Sequence, residues 1–189
     1  MKKKSIIIIA VIAVAVILIG SVIGSYNGLV ESREGVEQSQ SEISNQLQRR
    51  ADLIPNFVAT VKGYSDYEQE TYTAVTQARA AVTGADTVTE QAEASAQLDS
   101  AIDIWVNAVT EAYPELKANE QYIALQTELS GTENRIAQAR RDYNESAKEF
   151  NVEIKKFPRS IIAGIFGFDS YDYFEAADGT ESVPEVSFD

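Results

Sequence analysis

An uncharged apolar run near the N-terminus constrains this chain more than any other feature. The run extends from Ile6 to Gly24, follows three lysines at positions 2–4, and precedes the first acidic residue, Glu31. Its roughly 19 residues are the length that one helix needs to cross the hydrocarbon core of a bilayer. The sequence therefore predicts that residues 1–24 form a short cytoplasmic stretch of lysines and a transmembrane anchor.

A cleaved signal peptide is the competing interpretation, since it too begins with positive residues. Signal peptides usually have an apolar region of about 7–15 residues, which is shorter than this run. Only the Gly24-Ser25 step resembles a cleavage site. We therefore expect a retained single-pass anchor in the cell membrane. The lysines before the run and the glutamates after it favour a cytoplasmic N-terminus and an extracytoplasmic domain.

Composition excludes several classes of chemistry and of partner. The 189 residues include no histidine and no cysteine, which removes Cys/His zinc sites, histidine-ligated haem and Ser-His-Asp or Cys-His catalysis. The formal net charge of −13 argues against a nucleic acid partner, because phosphates attract basic surfaces. We expect no cofactor.

Apolar residues recur at helical spacing from Tyr26 to Phe157. Steps of three and four residues place each set on one helix face. Four such faces can bury one another, which predicts an all-α fold with an antiparallel up-and-down four-helix bundle over residues 25–158. Trp105, the only tryptophan, is predicted to be buried between helices. The four apolar stripes are Leu29, Val36, Ile43 and Leu47; Ile54, Val58, Val61, Tyr72, Val75 and Val82; Ala94, Leu98, Ala101, Trp105, Ala108 and Ala112, widened by Ile102 and Val109; and Tyr122, Leu125, Leu129, Ile136, Ala139, Tyr143, Ala147, Phe150 and Ile154.

Pro55 raises two alternatives for the first boundary inside the helical region. Asp52 is suited to cap a second helix that has Pro55 in its first turn, where the missing N–H costs nothing. The apolar stripe also continues in phase from Leu47 to Val58, as it would in one long helix kinked at the proline. We expect four helices, with a boundary at Asp52.

Local signals mark the later boundaries. Gly84 is predicted to close the second helix in the left-handed conformation, and Thr87 or Thr89 is predicted to begin the third. The third helix is expected to end at Tyr113, because a residue that precedes proline resists the helical conformation.

Several motifs, in order along the chain, carry a resemblance to a known family. They read QLQRRADLIPNFVATVKGY at 46–64, YPELK at 113–117, TENRI at 132–136, RRDYN at 140–144, FN at 150–151, FP at 157–158 and PEVSF at 184–188. Together they resemble the LemA family of small bacterial membrane proteins, with Phe57 standing where a leucine would be expected. The resemblance implies a single N-terminal span followed by an antiparallel helical domain, and it implies no catalytic activity.

The polar residues of these motifs lie among the apolar stripes. One interpretation is a buried or half-buried network that fixes the register of the helices, since buried polar groups must pair or cost about 1–3 kcal/mol each. The other is a docking surface for an acidic partner or a lipid headgroup. The residues are Arg49, Arg50, Asp52, Asn56, Glu133, Asn134, Arg135, Arg140, Arg141, Asn144 and Asn151.

Carboxylates leave a catalytic or metal-dependent alternative open. Glu128 with Glu133, or Asp99 with Asp103, could contact a hard cation such as calcium, but no loop of EF-hand form surrounds them. The sequence contains neither a P-loop nor a GxGxxG pattern. We therefore expect no enzyme, with no catalytic and no metal-ligating residues. An envelope enzyme or metal-dependent accessory protein that uses carboxylates is the alternative.

Residues 159–189 differ in composition from the helical domain. An apolar segment from Ile161 to Phe168 is followed by acids and isolated aromatics, a composition typical of semi-ordered tails. The apolar segment is expected either to fold back over one end of the bundle or to act as a binding segment. The acids are Asp169, Asp172, Glu175, Asp178, Glu181, Glu185 and Asp189.

An up-and-down bundle would return its fourth helix toward the membrane. Positive residues at the end of that helix would then lie near headgroups, and the apolar residues after them would form a second, shallow membrane contact. Alternatively, the same residues cap the bundle and complement the helix dipole. These membrane-proximal candidates are Lys155, Lys156, Arg159, Ile161, Ile165, Phe166 and Phe168.

These features together favour a membrane-anchored helical bundle at the cell envelope. We expect it to act as a non-catalytic interaction or scaffold module, held in the membrane by residues 6–24 and binding an unidentified envelope protein. A helical protein that binds the lipid surface is a further alternative. Homo-oligomerisation stays open.

Overall fold

The computed structural model describes residues 2–62 and 69–174. No strand occurs within these two ranges, and the predicted all-α fold is confirmed. The PEVSF motif, five of the tail acids and the end of the first motif at 63–64 lie outside the described residues, as do the side chains of Lys2, Lys3, Lys4 and Tyr72. Those five acids are Glu175, Asp178, Glu181, Glu185 and Asp189. The helices are α1 (Lys2–Lys62), α2 (Gln69–Thr83), α3 (Val88–Ala112), α4 (Glu120–Glu153) and α5 (Arg159–Phe166), with a 3-10 turn at Pro114–Ala118.

The environment of α1 changes along its length. The large apolar side chains from Ile6 to Ile23 are 45–70% exposed, whereas Leu29 is fully buried. By length and composition, α1 is the one helix in the described part of the chain that could cross a membrane. A single anchor near the N-terminus is compatible with this helix.

The boundary predicted at Asp52 is absent. The α1 helix continues through Pro55 to Lys62, and Asp52 is an exposed residue inside the helix rather than its N-cap. Ala51 and Ile54 are both buried, because the apolar stripe keeps its phase across the proline. An interior proline costs about 3 kcal/mol, which the burial of two or three large side chains in that stripe offsets. The helix therefore continues where local sequence signals predict a break.

The end of α2 also differs from expectation. The helix ends at Thr83, and the N–H of Gly84 donates to the carbonyls of Ala80 and Ala81, each at 3.2 Å. The left-handed conformation predicted for Gly84 is wrong. Among the described glycines, only Gly167 has a positive φ, at 70°, where it ends α5.

Two other predicted boundaries are confirmed. The Thr87 side chain accepts a hydrogen bond from the Glu90 N–H at 3.2 Å, and the Glu90 carboxylate accepts one from the Thr87 N–H at 3.0 Å. This capping box begins α3. At the other end, α3 stops at Ala112, immediately before Tyr113 and Pro114.

The described residues fall into two compact units. In the first, which comprises residues 2–39 and 143–172, Ser39 Oγ lies 3.2 Å from Ser146 Oγ, and Ser32 Oγ donates to Glu153 at 2.8 Å. From the first contact to the second, the residue number falls along α1 and rises along α4, so these two helices are antiparallel, as expected. The buried residues of this unit include Leu29, Val36, Tyr143, Ala147, Phe150, Ile162, Ala163 and Phe168.

The second unit comprises residues 40–62, 69–142 and 173–174. Trp105 is 3% exposed, which confirms its predicted burial. Its ring centroid lies 5.4 Å from that of Phe57 in an edge-to-face arrangement, and Phe57 lies 5.4 Å from Tyr122. On α3, Ile102 and Val109 are buried, as expected for residues that widen the third stripe. Three alanines predicted in that stripe are only half-buried (Ala101, Ala108) or exposed (Ala112).

Candidate functional site

A buried ion pair joins α1 to α3 in the second unit. Arg50 Nη1 lies 2.6 Å from Asp99 Oδ1, and the Arg50 side chain is almost completely buried. Each residue neighbours a core position, Ala51 in α1 and Leu98 in α3, which places both at the edge of an apolar stripe. Burial raises the pKa of Asp99, and the attraction of Arg50 only partly opposes that rise. Desolvation therefore weighs more on this carboxylate than pairing does.

Arg140 on α4 adds a second guanidinium beside this pair. Burial lowers the pKa of Arg140, and the negative charge of Asp99 opposes the change. Its Cζ lies 5.4 Å from the centroid of the Phe174 ring, where an aromatic face attracts a cation. Helices α1, α3 and α4 thus bring together a charge cluster made of Arg50, Asp99 and Arg140.

Three further arginines make polar contacts in the second unit. Glu128 pairs with Arg49 at 2.7 Å and with Arg135 at 3.1 Å. Arg79 on α2 donates through Nε to the Ala51 carbonyl at 2.7 Å. Exposed ion pairs such as the two that Glu128 makes contribute about 0–1 kcal/mol each. Sequence reasoning missed Arg79, because it lies outside every motif and its partner is a backbone atom 28 residues away.

The polar residues considered as one buried or half-buried network differ in their exposure, and seven of the eleven are exposed. The offset of 17 residues between Asn134 and Asn151 leaves them about 100° apart around a helix with 3.6 residues per turn. Asn134 is accordingly exposed and Asn151 buried. Of the remaining candidates, Arg50 is buried, Arg140 and Asn144 are half-buried, and Arg49, Asp52, Asn56, Glu133, Arg135 and Arg141 are exposed.

Two of the four carboxylates considered for metal binding pair with arginines. Asp99 pairs with Arg50, and Glu128 pairs with two arginines. Within residues 2–62 and 69–174, no three acidic side chains lie close enough together to hold a metal ion. Each of these two acids pairs with an arginine on α1, and Glu128 also pairs with Arg135 on its own helix.

In the first unit, α5 packs beside the segment of α1 that follows the apolar run. The ring centroid of Tyr26 lies 4.8 Å from that of Phe166 and 5.7 Å from that of Phe168. Ile162, Ala163 and Phe168 are buried, which fits the alternative in which this segment covers the helices. Tyr26 was missed, although an aromatic residue directly after an apolar span is itself an interface signal.

The positive residues near α5 are placed differently from the prediction. Helix α4 ends at Glu153, before Lys155 and Lys156, which are exposed in the turn that follows. Arg159 is the first residue of α5, and its Nη1 lies 2.6 Å from Glu153 Oε2, which also accepts the hydrogen bond from Ser32. The expectation that all three cations end the fourth helix is therefore wrong, and the charge of Arg159 is used within the protein.

The chain after α5 is fixed to α4 by hydrogen bonds. The Asn151 side chain donates to the Tyr171 carbonyl and accepts from the Tyr171 N–H, both at 2.8 Å. Tyr143 donates through its hydroxyl to the Asp172 carbonyl at 2.9 Å, and the Tyr171 hydroxyl lies 3.2 Å from Glu37 Oε1. The apolar segment thus folds back onto α1 and α4 instead of extending away from them.

These contacts predict a loss of stability at high pH. Burial raises the pKa of Tyr143 to about 12, and burial together with Glu37 raises that of Tyr171 to about 12. The folded chain therefore holds these phenolic protons more tightly than the unfolded chain does. The unfolded state loses protons first, so stability should fall as the pH rises from 10 to about 12.

The measurement is the urea midpoint of the full chain in detergent, followed against pH together with phenolate absorbance. The variant Tyr143→Phe should flatten the fall in midpoint, whereas Tyr173→Phe, which removes an exposed phenol, should leave it as it is. A midpoint that stays constant across this range in the unsubstituted chain would contradict the prediction.

Comparison with known proteins agrees with the motifs. The LemA family model matches residues 39–188. Protein LemA of Metamycoplasma hominis is 29% identical over 157 residues, which cover 82% of this chain and 71% of that protein. Magnetosome protein MamQ 2 of Paramagnetospirillum magneticum is 41% identical over 68 residues, or 36% of this chain and 25% of its own. Magnetosome protein MamQ of Magnetospirillum gryphiswaldense is 35% identical over 82 residues, or 42% of this chain and 30% of its own.

The family match includes the motifs from which the resemblance was drawn. It covers the segment of α1 that carries Arg50, all of α3, α4 and α5, and the chain beyond them. Because the family model matches well over half of the sequence, this protein belongs to the LemA family.

Proposed function

We propose that this protein is a membrane-anchored helical module that acts by binding another envelope protein and not by catalysis. The observation that carries the proposal is the change of environment within α1. Ile23 is exposed and Leu29 is buried in the same unbroken helix. An aliphatic side chain left in water forgoes about 1.5–3 kcal/mol, so a run of them is favourable only in lipid.

The orientation in the proposal rests on charge. Lysines at positions 2–4 precede the apolar run, and Glu31 and Glu34 follow it. Positive residues are retained preferentially on the cytoplasmic side of a span. The N-terminus then lies in the cytoplasm, and the helices that follow lie outside it.

Two features support a role in binding rather than in catalysis: the charged residues pair with one another, and the net charge is strongly negative. Arg50 and Asp99 pair across α1 and α3, and Arg49 and Arg135 share Glu128. Groups that hold helices together are committed to the fold and are not available for acid–base chemistry. The net charge of −13 gives a basic surface on the partner a favourable long-range attraction.

The anchor is tested on the full chain in its own membrane. We expect the mature protein to keep its N-terminal lysines by mass spectrometry and to stay in the membrane after carbonate extraction. A mature chain that begins near Ser25 would overturn the anchored part of the proposal.

The binding role is tested by photo-crosslinking in the same membranes. A crosslinking amino acid at Ile104 or Ile123, both exposed in the second unit, should capture one envelope protein reproducibly. The same amino acid at the buried Ile43 is the matched control and should capture none. If the purified full chain instead holds stoichiometric metal, the carboxylate-dependent accessory protein becomes the better account.

A further inference from the structure

We propose that α5 is an interfacial helix whose outward face lies in the surface of the same bilayer that α1 crosses. The inference rests on the proposed anchoring of α1 and goes beyond it, because it assigns a second, separate lipid contact. The outward face of α5 contacts the boundary between the lipid headgroups and the acyl chains.

The two faces of α5 are both apolar, and only one of them is buried. Ile162 and Ala163 pack inward. Ile161 and Ile165 are one helical turn apart and are 55% and 70% exposed, respectively. Phe157, in the turn before α5, is more exposed still. Aliphatic and aromatic side chains presented together by a short helix are the composition that enters the headgroup–acyl boundary.

The position of α5 along α1 is set by Tyr26. That residue follows Gly24, the last residue of the apolar run, by two positions, a rise of about 3 Å along the helix. Its ring lies 4.8 Å from the Phe166 ring at the end of α5. Helix α5 therefore lies at the depth where the proposed span leaves the hydrocarbon, which is the depth that tyrosine prefers.

The contacts at the two ends of α5 constrain its depth further. Phe166 meets α1 at Tyr26, and the Arg159 guanidinium meets it at Gly28, where a Cβ atom would lie 3.1 Å from Nη2. These two positions on α1 are about 3 Å apart along its axis, whereas α5 is about 12 Å long. Both ends of α5 therefore contact α1 within one turn of the point where the proposed span ends. These contacts keep α5 close to the depth at which the span leaves the hydrocarbon.

The helix is already fixed in this position. Its first residue pairs with Glu153, which also accepts the Ser32 hydroxyl, and its end is closed by the left-handed Gly167. The chain beyond is held by Asn151. Contact with lipid therefore requires no ordering of the segment, a cost that disordered membrane-binding segments must meet. Lys155 and Lys156 on one side and Asp169 on the other are exposed, so the contact is apolar in character and should not require anionic lipid.

The test uses the full chain in phosphatidylcholine vesicles. Because the sequence has no cysteine, each of three single variants, Ile165→Cys, Ile104→Cys and Ile12→Cys, carries one environment-sensitive fluorophore. Ile104 is the matched control, an isoleucine that is 60% exposed on α3. Ile12 reports insertion of the span. Unchanged emission from Trp105, the sole tryptophan, shows that each variant is folded.

At position 165 we expect strong quenching by a nitroxide near the carbonyl end of the acyl chain and weaker quenching by one in the middle of the chain. Position 12 should show the opposite order, and position 104 should be quenched only by aqueous iodide. One quarter of phosphatidylglycerol in the vesicles should change the result at position 165 by less than about two-fold, since the contact is apolar.

The remaining outcomes separate this inference from the anchoring beneath it. If position 12 is in lipid but position 165 is open to iodide, α5 makes no lipid contact and the anchor stands. If position 12 is open to iodide, both proposals fail. If position 165 is shielded from iodide and from both nitroxides, a second copy or another protein covers the face and the lipid assignment is overturned. Equal lipid quenching at 104 and 165 would show unspecific adsorption and would overturn it as well.

Discussion

Replacement of Trp105 by alanine is expected to lower the free energy of unfolding by about 3–5 kcal/mol. The indole is almost fully buried and meets the Phe57 ring edge to face, and Phe57 in turn packs against Tyr122. Truncation removes the largest side chain at this junction of α1, α3 and α4. It also removes an aromatic contact worth about 0.5–1.5 kcal/mol beyond the area that it buries.

This change is measured by urea unfolding of the full chain in detergent micelles, followed by circular dichroism. The neighbouring variant Ile104→Ala is the matched control, because an exposed site on the same helix should alter stability by no more than about 0.5 kcal/mol. An unchanged midpoint for Trp105→Ala would show that the indole contributes little to folding and would count against its place in the core.

Replacement of Asp99 by alanine should cost about 3 kcal/mol. The variant leaves the Arg50 guanidinium buried without its counter-charge, and breaking a buried ion pair in this way typically costs about 3–5 kcal/mol. We expect the lower end of that range, because the Asp99 side chain is 37% exposed and water can partly replace it. Arg140, which Asp99 also attracts, is left facing Arg50 with a like charge.

The double variant Arg50→Met with Asp99→Leu is the decisive comparison. Replacing both partners of a buried pair by apolar side chains is often neutral or stabilising, because no charge is left unpaired. We therefore expect the double variant to recover most of the stability that Asp99→Ala loses in the same assay. If the two variants are equally unstable, the pair contributes through shape and not through charge.

The features that the sequence predicted well depend on neighbours in the chain. Leu29, Val36 and Ile43 are buried because a helical period places them on one face, and that period is visible in the residues themselves. The start of α3 at Thr87 likewise depends on a residue only three positions away. Such signals are local, and tertiary structure reinforced them.

The features that it missed depend on residues far apart in the chain. Pro55 remains inside α1 because the burial of a continuous stripe outweighs a local break. The hydrogen bond between Ser32 and Glu153 is likewise remote, since the two residues are 121 positions apart in the chain. No pattern near Asn151 indicates that its amide binds the backbone of Tyr171. The polar contacts around α5 therefore could not be predicted from local sequence, because only folding brings their partners together.

The unbroken course of α1 from its apolar end into the folded unit has a consequence for rotation. Each residue of a helix turns the chain by about 100° and advances it by 1.5 Å. One residue inserted between Ser25 and Gly28 would therefore swing the lipid-facing sides of the run by about 100° about the helix axis relative to Leu29 and the core behind it. The rotation of the apolar run about the helix axis is thus fixed relative to the folded unit. A neighbouring helix in the bilayer that contacts one side of the run is therefore always on the same side of that unit.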